Sequence, residues 1–217
     1  GSLFIEPGVE VITDNSEIRV EGQIIANAID KEQIVFTSDS SWKGIKISYS
    51  KKENTFNNVL FTKATDTALC LDYSPTTIIG STFYKNSGNV GAGGLQVNGT
   101  NDIVFKNNIF SNNQSNKGCA AVEANASSFS VINSIFVNNT GFLASSVGVK
   151  GVASMNFVDN TVANNSISTT NGFHVFNYNS YISIRNSIVR GDTNVISAFP
   201  SAVTQAERSN ISGGYAG

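Results

Sequence analysis

The sequence predicts an all-β chain, wound as a single-stranded parallel β-helix of about eight coils of roughly 22–27 residues. Three observations predict it. Isoleucine and valine together number 41 against 6 leucines, and β-branched side chains pack well on pleated surfaces while helices favour leucine. An apolar column runs through Phe61, Phe83, Phe110, Phe136, Val162 and Val189 at intervals of 22, 27, 26, 26 and 27 residues. Polar residues recur in step with it: Asn58, Gly80, Asn107, Asn133, Asp159 and Asn186 three positions before, and Asn86, Asn113, Asn139, Asn165 and Asp192 three positions after the later members. A fixed period of this size marks a stacked repeat.

The elements follow in chain order. Residues 3–11, 18–26 and 34–37 read as strands in a less regular register, so 1–41 form irregular N-terminal coils. Trp42 opens the regular coils, 42–191, as a packing residue. Each regular coil begins with a small residue followed by apolar, variable, apolar: Gly44-Ile45-Lys46-Ile47, Ala68-Leu69-Cys70-Leu71, Gly94-Leu95-Gln96-Val97, Ala121-Val122-Glu123-Ala124, Ser146-Val147-Gly148-Val149 and Gly172-Phe173-His174-Val175. That alternation describes a strand with one buried face. Second and third strands carry Phe56, Ile78, Phe105, Val131, Phe157 and Ile184, then the Phe61 column, giving three strands per coil at 94–97, 103–105 and 109–111 in one example. Helical repeats of this length need amphipathic stretches that the asparagine-rich turns forbid. Residues 192–217 read as a C-terminal coil cut short, so the single domain 1–217 is expected to be a fragment of a longer protein.

The variable position of the first strand points outward on every coil. It reads Lys46, Cys70, Gln96, Glu123, Gly148 and His174, and two positions on come Ser48, Asp72, Asn98, Lys150 and Phe176. Tyr49, Tyr73 and Tyr178 are placed in the turn that follows. Amides, a few charges and aromatic edges suit an oligosaccharide, whose hydroxyls need polar partners and whose rings stack. The candidate ligand-binding set is Gln96, Asn98, Glu123, Lys150 and His174, flanked by Tyr49, Tyr73 and Tyr178. The asparagine columns read instead as scaffold, since asparagine tolerates left-handed turns and its amide both donates and accepts.

Composition excludes several classes. A net charge of −2 and a pI near 5.4 give no basis for gripping a phosphate backbone, so no nucleic acid is expected. No apolar run reaches membrane-spanning length. Two cysteines and one histidine are too few for a structural zinc site, no metal-ligating set stands out, and no phosphate-binding or cofactor-binding motif is present. Cys70 and Cys119 fall about two coils apart, too far to bridge.

With its columns in place, the sequence resembles the right-handed parallel β-helix superfamily of pectate lyases and polygalacturonases from Trp42 to Val189. The Phe-x-x-Asn units Phe83–Asn86, Phe110–Asn113 and Phe136–Asn139, with Gly93-Gly94-Leu95, also look like the repeats of polymorphic outer-membrane proteins and surface adhesins. The resemblance implies that the column through Asn107 is an asparagine ladder. It implies a polysaccharide ligand on the first-strand face as well. Enzymes of that superfamily cluster aspartates, the lyases adding calcium and an arginine base. Here Asp72, Glu123, Lys150 and His174 stand on different coils, and Arg19, Arg185, Arg190 and Arg208 all fall off the first strand. No catalytic residue is assigned. The reading is a non-catalytic module of a bacterial extracellular or cell-surface protein, binding glycans or host and matrix surfaces. The alternatives are a polysaccharide lyase or glycoside hydrolase acting on acidic polysaccharide, and a structural spacer or stalk.

Overall fold

A computed structural model describes residues 1–191, 194–197, 199 and 201–212. Among these residues every regular element is a strand and every strand pairing is parallel. Strands separated by one coil pair with each other, so the chain climbs as a helix of sheets. Sheet I holds seven strands, from Ile18–Val20 through Ile45–Ser48, Leu69–Asp72, Leu95–Asn98, Val122–Asn125 and Ala144–Lys150 to Phe173–Tyr178. Sheet II stacks nine strands from Ser2–Ile5 to Val203–Glu207, and sheet III nine from Glu10–Ile12 to Asn210–Ile211. Nine stacked strands span about eight turns, roughly 38 Å at about 4.8 Å per step. The expected C-terminal coil at 192–217 is described only in part, as far as Ser212, and Asp192 of the asparagine column lies outside the described residues.

One sheet was not expected. Ser87–Gly88, Gln114–Ser115, Thr140–Gly141 and Ser166–Ile167 pair as sheet IV, at the corner between sheets III and I. These two-residue strands carry serine, glycine, glutamine and threonine, and so lack the alternation that betrays a strand in sequence.

The core sits inside the coil and is built of like residues on like. Phe36, Phe61, Phe83, Phe110 and Phe136 stack face to face with centroid separations of 5.5, 4.7, 4.4 and 5.3 Å. All are almost fully buried, and offset aromatic stacking adds to the free energy of burying such large side chains. Trp42 is completely buried, stacks on Phe36 and donates its indole N–H to the Thr62 carbonyl at 2.8 Å. It is a packing residue, as the sequence suggested.

The corners are where the polar columns act, and they divide the work differently from the expectation. Asn58, Gly80, Asn107, Asn133, Asp159 and Asn186 all have φ between 47 and 60°. They are the left-handed residues of the turn between sheets II and III, where asparagine and glycine pay little steric penalty. Apart from Gly80, their side chains face solvent or are half-buried, with Asn133 donating to Asn107 at 2.9 Å. The buried ladder lies elsewhere. Asn86, Asn113, Asn139 and Asn165 point inward at the corner after sheet III, each following a left-handed residue. Their amides donate to the Phe61, Phe83, Phe110 and Phe136 carbonyls at 2.9–3.0 Å. The ladder therefore belongs to the Asn113 column rather than the Asn107 column, because only inward residues can satisfy backbone groups cut off from water. The other two corners use serine and threonine as well. Ser81, Asn108, Ser134, Asn160, Ser187 and Ser209 are linked in series, as are Ser50, Ser74, Thr100 and Ser127.

Candidate groove on the outer face of sheet I

Along sheet I the inward positions are apolar and buried, while the outward ones form two rows. The first row reads Arg19, Lys46, Cys70, Gln96, Glu123 and Gly148, and the second Ser48, Asp72, Asn98, Asn125 and Lys150. Arg19, expected off this sheet, stands at its head, because the short strand Ile18–Val20 stacks on Ile45–Ser48 despite its irregular surroundings. It pairs with Glu17.

The corner holding sheet IV turns this face into a groove. After Ser87–Gly88 and Gln114–Ser115 the chain folds back over the edge of sheet I. Any β-carbon on Gly91 would collide with the Gln96 amide, and one on Gly148 would collide with the Cys119 sulfur. Ser115 ties the wall together by donating its hydroxyl to the Gly91 carbonyl at 2.7 Å and accepting from the Gly118 N–H at 2.8 Å. The resulting groove has a volume near 430 Å³. Its floor comes from Lys46, Cys70, Asp72, Gln96, Asn98, Glu123 and Lys150, and its sides from Glu17, Lys43, Asp66, Thr67, Val90 and Gly91. It runs along the rod axis, since its floor draws on successive coils.

The polar groups on the floor are joined. Lys46 Nζ lies 3.1 Å from Asp72 Oδ2, Asn98 Nδ2 donates to Asp72 Oδ1 at 2.7 Å, and Asn125 Nδ2 donates to Asn98 Oδ1 at 2.9 Å. Burial works to raise the Asp72 carboxyl, but the hydrogen bonds from Asn98 and Lys46 and the lysine charge outweigh it and hold Asp72 below the usual carboxylate range. The hydrogen bond to Asp72 and its negative charge likewise raise Lys46. The Cys70 thiol is pushed up to about 12, chiefly by burial and then by the Asp72 charge. Deeper along the groove, Lys150 Nζ is 2.9 Å from Glu123 Oε1, while Glu123 Oε2 accepts the Cys119 N–H at 3.2 Å.

The structure therefore gathers four of the candidate residues, Gln96, Asn98, Glu123 and Lys150, along one groove. Glu123 is only 4% exposed, because the wall covers it. Tyr49 and Tyr73 occupy the turn beyond the second row, 70% and 57% exposed, with rings parallel at 5.3 Å. Both have left-handed backbones, φ 54 and 47°, a conformation that costs a bulky residue energy.

Two candidates stand elsewhere. His174 is not opposite Gly148: the strand sits two residues out of the expected register, with a one-residue bulge between Ala144 and Val147, so that Phe176 faces Gly148 and Tyr178 faces Lys150. A slip of two residues preserves the inside-outside alternation, so sequence pattern alone could not detect it. His174 is buried, with Nδ1 2.7 Å from Ser145 Oγ, and packs against Gly191 outside the groove. Tyr178 lies on the strand rather than in the turn, where Asn179 takes the left-handed role, and stacks on Phe176 at 6.5 Å. The groove residues that sequence reasoning left out of the set, Lys46 and Asp72, were visible in the outward rows. Their pairing across coils was the missing signal.

The sequence of residues 4–167 matches the family described as a right-handed β-helix region, in accord with the all-parallel coils. The chain belongs to the right-handed β-helix family. No curated protein and no solved structure matches it. The right-handed β-helix supplies the scaffold, and what it does must be read from its groove. Among the described residues, no helix is long and apolar enough to cross a membrane, and no three His, Cys, Asp or Glu side chains gather as a metal site.

Proposed function

We propose that the protein is a non-catalytic β-helix module that binds carbohydrate in the groove of sheet I, as part of an extracellular or cell-surface protein engaged in adhesion. The observation that carries this reading is the pairing of a polar groove with the exposed, parallel Tyr49–Tyr73 stack beside it. The Gln96 amide on the floor, held only by long contacts, offers a donor and an acceptor that match adjacent sugar hydroxyls. The tyrosine rings offer an apolar face to the C–H side of a pyranose. The corner takes a left-handed residue on the following coils too, Gly99 and Ala126, and filling it with a bulky ring at Tyr49 and Tyr73 carries a cost that a smaller residue would avoid.

A catalytic reading gains no specific support. Asp72 is held ionised by Lys46 and Asn98, and Glu123 is taken up by Lys150 and the Cys119 N–H. General acid catalysis needs a carboxyl that keeps its proton near neutral pH.

The test is calorimetric titration with a panel of oligosaccharides, run beside assays for reducing ends and unsaturated products. Binding without turnover is expected. Replacing Tyr49 and Tyr73 together by asparagine, which suits the left-handed turn, should preserve the fold and weaken binding about tenfold or more, worth roughly 1.4 kcal/mol. Alanine at Thr169 and Asn171, on an outer turn away from the groove lining, should leave binding unchanged. Turnover would restore the lyase or hydrolase reading, and binding lost only in the outer-turn variants would move the site.

A further inference from the structure

Resting on the carbohydrate reading, we infer that the groove takes an uncharged oligosaccharide and rejects an acidic one. The inference comes from how the charges in the groove are used. Lys46 and Lys150, the two lysines on the floor, already hold Asp72 and Glu123 at 3.1 and 2.9 Å. On the sides, Glu17 pairs with Arg19, leaving exposed Lys43 and Asp66, one charge of each sign. The groove is thus electrically balanced.

A polysaccharide bearing a carboxylate on each residue needs cations free to meet it. To recruit Lys150 it would have to strip Glu123, a carboxylate only 4% exposed, and leave that charge buried without its partner, which is strongly unfavourable. Recruiting Lys46 would break the chain of bonds from Lys46 through Asp72 and Asn98 to Asn125. A cationic sugar meets the mirror obstacle, since both floor carboxylates are already paired. Neutral hydroxyls face neither cost. The Gln96 amide makes only long contacts, 3.4 Å to Asn98 and 3.5 Å to Thr67, and can exchange them for a ligand at little loss.

The experiment titrates the protein with neutral gluco- and manno-hexasaccharides, hexagalacturonate and a glucosamine hexamer, at about 50 and 500 mM sodium chloride, a range over which surface charge is screened. A neutral hexamer should bind about tenfold or more tightly than either charged one, with affinity unchanged by salt. Asp72→Asn keeps the acceptor for Asn98 but frees the Lys46 charge. It should add hexagalacturonate binding that weakens as salt rises. If wild-type protein binds the acidic or the cationic hexamer as tightly as the neutral ones, the inference fails while carbohydrate binding stands. If Asp72→Asn gains nothing for hexagalacturonate, charge pairing is not the filter and the inference fails again. If no saccharide of any class binds, the carbohydrate reading itself falls, and this one with it.

Discussion

Asn113 and Asn139 are bound twice to each other: the Asn113 backbone N–H and its side-chain Nδ2 both donate to Asn139 Oδ1, at 2.9 and 3.0 Å. One buried amide oxygen therefore satisfies a main-chain donor of the neighbouring coil, while the Asn139 amide nitrogen satisfies the Phe110 carbonyl at 3.0 Å. Alanine at Asn139 strands both groups. The expected cost is about 3 kcal/mol by urea denaturation, from buried groups left without partners. Alanine at exposed, left-handed Asn133 should cost only about 1 kcal/mol, the steric price of the turn. Equal losses at the two positions would contradict the division of roles between the columns.

Phe110 lies between Phe83 and Phe136 at 4.4 and 5.3 Å and is fully buried. Phe110→Ala should destabilise the fold by about 3–5 kcal/mol, combining lost burial with the cavity left behind. Denaturation followed by circular dichroism measures it. A loss under about 1 kcal/mol would be incompatible with a stacked core.

The Lys46–Asp72 pair ties acid stability to one carboxylate. Because the folded protein holds Asp72 below its ordinary value, the stabilisation is present above the unfolded carboxylate pKa, about 3.9, and is lost as pH falls through the folded value. Asp72→Asn should remove this contribution near neutrality, and the gap between wild type and variant should close towards acid pH. Urea midpoints between about pH 2 and 7 test it. A gap that widens on acidification would reverse the sign.

Cys70 and Cys119 are both free thiols, one partly and one wholly buried. Burial raises the Cys119 thiol well above its ordinary value, and the charge of Glu123 adds to it, while Cys70 is pushed up to about 12. Almost no thiolate exists at pH 8, so neither should react with a disulfide reagent in the native state. Both should titrate after unfolding. Rapid native labelling of Cys70 would show the groove floor to be more open than its geometry.

The coil period, the three principal sheets and the phenylalanine stack were legible because they rest on residue type at fixed intervals, as in Phe83, Phe110 and Phe136. The assignment of roles to asparagine was not, since Asn107 and Asn113 are the same residue type and differ only in which way the turn points them. Sheet IV escaped notice for lack of apolar residues to alternate. At the site, the outward position of Gln96 and Glu123 followed from period-two alternation. The burial of Glu123 did not, since it depends on a wall built by residues 115–120 of the preceding corner. His174 was misplaced because its strand sits two residues out of the expected register, a slip that leaves the pattern intact.

Sheet IV also bears on how this scaffold tolerates insertion. Seven positions take the chain from Phe61 to Ala68, and eleven take it from Phe83 to Gly94, the coil in which sheet IV begins. Yet Phe83 stacks on Phe61, and Leu95 pairs with Leu69, without a break in register. Extra length at this corner is thus absorbed outside the stack, and the same length added inside a strand would have to loop out and break its ladder. Variation in this lineage, or a loop grafted by design, can accordingly reshape the groove wall while the rod beneath it keeps its pitch.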